Sequence, residues 1–209
     1  LHTRGQYDLG TLYSSIQNIV ADKLPTLPGI KKTKKRGDND FTLQGNVYST
    51  EILQRIFGIQ LDISSPIHIN GNLSEQNEEL NLFVNAPLFS YNGKPFHNGN
   101  IEVTTQGKEL CMDAHVCQGL SFEMAPEYAL RAKACDNVLN TKVNYDNHSK
   151  KLPVKGFLDA ETQFGKNEHG MTSINMNVKP SHIMLGDTRW DVISSNINYV
   201  KNHLSVDNF

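Results

Sequence analysis

Four side chains in the segment ELCMDAHVCQG have the chemistry of metal ligands. Cys111, Asp113, His115 and Cys117 alternate with Leu110, Met112, Ala114 and Val116. On a strand, the two thiols, the carboxylate and the imidazole therefore share one face. The spacing limits what they can do. Residues two apart on a strand stand roughly 6.6 Å apart and can share an ion, whereas those four or six apart cannot. The segment reads as a polar strand face carrying incidental cysteines, with a metal site as the alternative.

Other reactive types are scattered. His68 and His115 fall on polar strand faces, and His97, His148 and His169 in turn segments. There is no HExxH, no GxSxG, no Walker A loop, and no GxGxxG after a strand. Asp159, Glu161, Asp187 and Asp191 offer carboxylates, but no spacing singles out a hydrolytic pair. The sequence thus points away from an enzyme and calls for no cofactor. The basic run KKTKKR, Lys31 to Arg36, reads as a solvated connector, with contact to anionic headgroups as the other reading.

These side chains must be positioned by a chain whose periodicity changes once. Leu9, Leu12, Tyr13, Ile16, Ile19, Val20 and Leu24 recur at spacings of three and four, which predicts an amphipathic helix capped by Asp8 and stopped by Pro25. A basic Pro/Gly loop follows, so residues 1–40 form a helix-plus-loop unit. From 41 to 209 the period is two. A short helix over 50–57, with Ser49 as N-cap and Gly58 at its end, interrupts that pattern. Turn signals fall at the NGN of Asn70, at YNGKP, at the NGN of Asn98, and at YDNHSKK, GKNEHG and GDT. About a dozen short strands result, an antiparallel meander by default. Phe83, Phe89, Tyr91 and Phe96 flank the YNGKP hairpin, where aromatic pairs would fix its register. Trp190, the single tryptophan, reads as a core anchor.

Each strand is apolar on one side only. Such a sheet must close into a barrel, pack on a second sheet, or curl into a trough that leaves apolar surface for binding. The expected fold is mainly β: a curved or extended antiparallel sheet, taco-like or sandwich-like, with one amphipathic helix and one short helix.

Bulk properties fit. The 209 residues are 38% hydrophobic with a formal net charge of −2, which excludes a general nucleic-acid binder. Cys111, Cys117 and Cys135 are too few for a disulfide framework and fit either a reducing compartment or an envelope compartment with one optional bridge. The chain opens at Leu1 without a methionine and closes inside the strand pattern at Phe209. It therefore reads as an interior piece of a longer protein.

The order of these signals carries a resemblance. DFTLQGNV, STEILQRIFG and SPIHINGNLSEQNEELNLFV lead to an end of the form GDT-x-W-x-V-x-x-S-x-I-x-Y, at Gly186, Asp187, Thr188, Trp190, Val192, Ser195, Ile197 and Tyr199. The chain resembles the interior of Bacteroidetes-type proteins of the TamB-like and AsmA-like superfamily, the translocation and assembly module family. That resemblance implies a long taco-like sheet with an apolar inner groove in the periplasm, in a parent anchored in the inner membrane. It implies phospholipid transfer or outer-membrane protein assembly, an outer-membrane barrel partner engaged through a C-terminal region absent from this chain, and no catalysis.

On this reading the inward residues are the functional ones, as contacts for phospholipid acyl chains. They are Phe41, Leu43, Val47, Ile59, Leu61, Ile67 and Ile69 on the early strands, Leu80, Leu82, Leu110 and Met112 in the middle, and Ile174 and Met176 late in the chain. Self-association through edge strands is a further expectation. The competing reading is a secreted or surface β-sandwich that binds glycan or protein.

Overall fold

The computed structural model describes residues 2–34, 37–51, 60–121, 124–168 and 170–207. Strand β1 (His2–Gln6) precedes helix α1 (Leu9–Lys23). Strands β2 (Asp40–Val47), β3 (Leu61–Ile63), β4 (Ile67–Ser74), β5 (Glu79–Tyr91) and β6 (Lys94–Gln106) follow. The middle holds β7 (Glu109–Gln118), β8 (Glu127–Cys135), β9 (Val138–Asp146) and β10 (Val154–Lys166). The chain continues through β11 (Thr172–Leu185), β12 (Thr188–Val192), β13 (Ser195–Val200) and β14 (His203–Asp207).

All fourteen strands belong to one antiparallel sheet in nearly sequential order. Its path runs β1-β2-β4-β5-β6-β7-β8-β9-β10-β11-β13-β14, with β3 beside β5 and β12 beside β11. β5 and β11 are long enough, at 13 and 14 residues, to pair with two partners along one side. The mainly β, open antiparallel architecture expected from the period-two pattern is the one formed, and among the described residues no second sheet packs on it.

Tight hairpins explain the order. Tyr91 pairs with Lys94 across Asn92-Gly93, Cys135 with Val138 across Asp136-Asn137, and Val200 with His203 across Lys201-Asn202. All six loop residues have positive φ, as two-residue turns matching the strand twist require. Two expected turns are strand interior instead. The NGN at Asn70 lies within β4, where the position of Gly71 lets β5 approach: a Cβ there would meet the Asn81 carbonyl oxygen at 2.5 Å. The NGN at Asn98 is a bulge in β6, with Asn98 at φ 54° and a register shift against β7 between His97 and Asn100. The short helix expected over 50–57 falls almost wholly outside the described residues. Ser49 Oγ does accept a hydrogen bond from the Glu51 N–H at 3.3 Å.

Helix α1 lies across one end of the sheet, and its orientation is not the one its apolar spacing suggests. Asp8 caps it, accepting from the Gly10 N–H at 2.8 Å. The buried side carries Thr11, Ser15 and Asn18 along with Ile19 and Ala21, whereas Leu9 and Tyr13 are 76% and 74% exposed. Polar partners decide this. Thr11 and Ser15 meet the fully buried Asn39, while Asn18 exchanges two hydrogen bonds with the Thr33 backbone. At the far end of the helix, Leu24 packs with Ala134 and Phe164, joined by Leu110, Leu139 and Ile174. Asn137 clamps that corner: its N–H donates to the Lys23 carbonyl, and its side-chain oxygen accepts from the Thr26 N–H.

This corner is the best-covered part of the molecule. The total accessible surface is 13596 Å², against about 9,700 Å² expected for a compact monomer of this mass. The excess is what a single-layer sheet exposes.

Candidate functional site

Register assigns every strand residue to a face, because directly paired residues point the same way. Phe41, Leu43 and Val47 lie opposite Leu73, Gly71 and Ile67, and Gly45 opposite Ile69. Leu73, Gly71 and Ile69 lie in turn opposite Leu80, Leu82 and Val84. The series continues without a break: Leu82 and Val84 to Val103 and Ile101, then to Met112 and Ala114. Leu110 stands beside Met112 on this face. From there it passes through Leu130 to Val143 and Leu158. Phe164 pairs with Ile174 and Thr162 with Met176, which extend to Tyr199 and Ile197. Leu61 joins through Tyr91.

Twelve of the thirteen residues proposed from sequence thus share one side of one sheet. Ile59 lies outside the described residues. Of these twelve, Ile67 is buried and the other eleven are partly exposed.

The face divides lengthwise. At the α1 end it is filled by Leu24, Leu27 and the side chains around Phe164. Toward the opposite strand ends it is open, with a cavity of about 380 Å³. Residues of five consecutive strands border that cavity, from Val84 and Phe89 on β5 to Val143 on β9. Strands this far apart in the order stand roughly 19 Å apart in a sheet, so the cavity runs across the strands. The wall is made of aliphatic and aromatic groups and Gly99; Asn100 and His115 border it through their strands while their side chains turn to the other face. Phe89 and Phe96 stack at 5.5 Å between ring centroids, the cross-strand pair that the hairpin sequence predicts.

The sequence reading missed the centre of this cavity. Ile101, Tyr128 and Val143 remain 39%, 38% and 47% exposed although they project from the middle of the sheet. The alternation of β6, β8 and β9 marks them as inward, but alternation alone does not say where along a strand the cover ends.

Two aromatic assignments need correction. Trp190 on β12 is 60% exposed, opposite Ile183 of β11, and anchors no core, because nothing among the described residues covers that stretch of the face. Phe83 lies on the polar side, between Asn70 and Glu102, and takes no part in a hairpin aromatic pair.

The opposite face is polar and satisfies itself sideways. Asn81 donates to Asn72, Asn85 to Asn100 and Asn177 to Asn196 at 2.7–3.2 Å. Cys111, Asp113, His115 and Cys117 stand here along β7 as the spacing predicts, each beside residues of the neighbouring strand, with His115 and Cys117 both next to Glu127. Asp113 pairs with Arg131 at 2.9 Å and His115 Nε2 with Glu127 at 3.2 Å. Burial, then the Glu127 charge, pushes the Cys117 thiol up. Cys111 lies opposite Lys133. Among the described residues no group of three or more His, Cys, Asp or Glu side chains is gathered to hold a metal ion. His97 is not in a turn: it is buried in β6, with Nδ1 2.8 Å from the Gly119 carbonyl oxygen. His148 does sit in the β9–β10 turn and shares Glu127 with His115, and His169 lies outside the described residues.

The arrangement is an apolar face on one side of the sheet, backed by a polar, laterally hydrogen-bonded one. No helix among the described residues is long and apolar enough to cross a membrane. Compared with protein-family models, curated proteins and solved structures, the chain shows a significant match to none.

Proposed function

We propose that this chain holds the acyl chains of phospholipids along the apolar face of its sheet, as a non-enzymatic segment of a cell-envelope protein. The observation that carries the reading is the continuous run of apolar side chains from β2 to β14, open to solvent where Ile101, Tyr128 and Val143 project. Burying an acyl chain contributes about 0.8 kcal/mol per methylene and asks for no directional polar group. That suits a cavity with so few of them.

The resemblance to TamB-like proteins supports the same role, lipid movement or outer-membrane protein assembly between inner and outer membranes. In such a parent the sheet would belong to the periplasm, and a barrel partner would be engaged elsewhere in the protein. The sandwich-type glycan or protein binder is less well supported, since among the described residues no second sheet lies over the apolar face, which displays few polar groups.

The test is purification from bacterial membranes under mild conditions, followed by lipid extraction. Phospholipid is expected to co-purify with the wild type and to be lost from the variant carrying Leu43→Asp, Leu61→Asp and Leu82→Asp, with circular dichroism confirming that the variant folds. A lipid-free wild-type protein would refute the reading.

A further inference from the structure

The two ends of the sheet path are unlike. At one end β1 turns Thr3 and Gly5 toward the apolar face, opposite Leu43 and Phe41, and the apolar run stops there. At the other end β14 turns Leu204 and Val206 toward it, opposite Tyr199 and Ile197, so the run continues onto the last strand. Leu204 and Val206 are 59% and 40% exposed, and among the described residues no strand pairs with the outer edge of β14. A free edge is usually blunted by a charged side chain, a proline or a local twist. β1 has such guards in Arg4 and in Gly5, whose φ is 122°. The β14 segment HLSVD contains no lysine, arginine or proline.

The main chain of β14 is matched to a copy of itself. Val200 and His203 close a two-residue turn through Lys201 and Asn202, both at positive φ, and a pair that closes such a turn is of the hydrogen-bonded kind. His203, Ser205 and Asp207 therefore direct their N–H and C=O groups toward β13, while Leu204 and Val206 direct theirs outward. An antiparallel copy centred on Ser205 sets Leu204 opposite Val206 of the second copy, and Val206 opposite Leu204 of the second copy. Those are the residues with outward groups, so both become hydrogen-bonded pairs. On one face the alignment sets apolar against apolar, and on the other it sets the His203 imidazole against the Asp207 carboxylate. The same alignment of β1, centred on Arg4, would set Arg4 against Arg4, a like-charge pair that strand pairing disfavours.

We propose that β14 is a self-pairing edge, along which two copies of this chain join antiparallel about a two-fold axis at Ser205. Opposed residues share a face, so the apolar face of one copy runs into that of the other. This contact closes at a dimer, whereas pairing β14 with β1 would repeat without end. It does not rest on the lipid reading. A strand of five residues makes a small interface, and association is therefore concentration-dependent.

The experiment is sedimentation velocity of the purified chain over a concentration series, with oxidative crosslinking to read the register. A reversible monomer–dimer equilibrium is expected. Val206→Pro removes an outward N–H and no bond to β13, so it is expected to sediment as a monomer with an unchanged circular dichroism spectrum. Asp207→Lys is expected to weaken the dimer about threefold or more, and His203→Asp/Asp207→Lys to restore it. Ser205→Cys is expected to give a disulfide-linked dimer that neither the wild type, with its own three cysteines, nor Arg4→Cys forms. A chain that stays monomeric up to about 1 mM would overturn the proposal. So would species larger than a dimer, a dimer that Val206→Pro leaves intact, or crosslinking through Arg4→Cys. A dimer that Leu9→Asp/Tyr13→Asp dissociates would overturn it too, assigning the contact to α1.

Discussion

Ser15 on helix α1 donates a hydrogen bond of 2.9 Å to the Glu75 carboxylate, sixty residues away in the β4–β5 turn. The same carboxylate oxygen accepts from the backbone N–H groups of Gly37 and Asn39. Asn39 completes the junction: its amide donates to Thr11 and Ser15, and its oxygen accepts from the Asp8 N–H at 2.7 Å. Buried polar groups, not apolar contacts, hold this side of the helix on the sheet.

Asn39→Ala should therefore cost more than its size implies. It strips partners from Asp8 N–H, Thr11 and Ser15 in a place water does not reach, a loss of roughly 2–4 kcal/mol. Urea unfolding followed by circular dichroism is expected to show a lower midpoint with little change in slope. A midpoint equal to the wild type would mean the network is not holding the helix.

Asp22 and Glu78 make the same end of the molecule sensitive to acid. Burial alone would raise Asp22, but hydrogen bonds from Lys32 and Glu78 outweigh it and hold Asp22 below the usual carboxylate range. Glu78 is pushed up, first by its hydrogen bond to Asp22 and then by burial. The signs are opposite. The contribution of Asp22 is present above its unfolded value and is lost as pH falls through its lowered one. That of Glu78 is present in acid and is lost as pH rises through its raised one. Glu78→Gln keeps the neutral form at every pH, so its unfolding midpoint is expected above the wild type's at about pH 7. The gap is expected to close on acidification to about pH 4. A midpoint below the wild type's at neutral pH would contradict the pairing.

Gly71 tests the close approach of β4 and β5 beneath the apolar face. An added Cβ would meet the Asn81 carbonyl oxygen at 2.5 Å and Leu82 Cα at 3.2 Å, backbone atoms that cannot turn aside. Gly71→Ala is expected to destabilise by roughly 2–3 kcal/mol, a fall of about 4–12 °C in a melt of a chain this long. An unchanged melting temperature would show that the strands have room to separate.

How much of this was legible beforehand follows from what each signal encodes. Alternation in β2, β7 and β9 reports which residues share a face, because a pleated strand turns successive side chains to opposite sides, and the register then gathers Phe41 through Met176 on one side. The same alternation carries no information about cover, so Trp190 looked like a core residue and the open cavity around Val143 went unnoticed. Helical spacing likewise located α1 but not how it sits: of its stripe Ile19 and Leu24 are buried, while Leu9 and Tyr13 are exposed. The stripe of Leu9, Tyr13 and Ile16 is regular, whereas the polar anchors at Asn39 and Glu75 are distant in sequence and leave no periodic trace. Asn-Gly dipeptides marked a true hairpin at Asn92 and misled at Asn70 and Asn98, where the Gly meets a crowded strand or a bulge.

The central claim is that lipid lies on one face of the sheet and not the other, and Lys142 and Val143 stand side by side on β9 with opposite orientations. A photo-crosslinking residue placed at each in turn, in cells, followed by mass spectrometry of the purified protein, reads that difference directly. Phospholipid adducts are expected at position 143, on the apolar face with Leu130 and Leu158, and not at 142, beside Arg131 and Asp159. Equal adducts at both positions, or none at 143, would contradict the account.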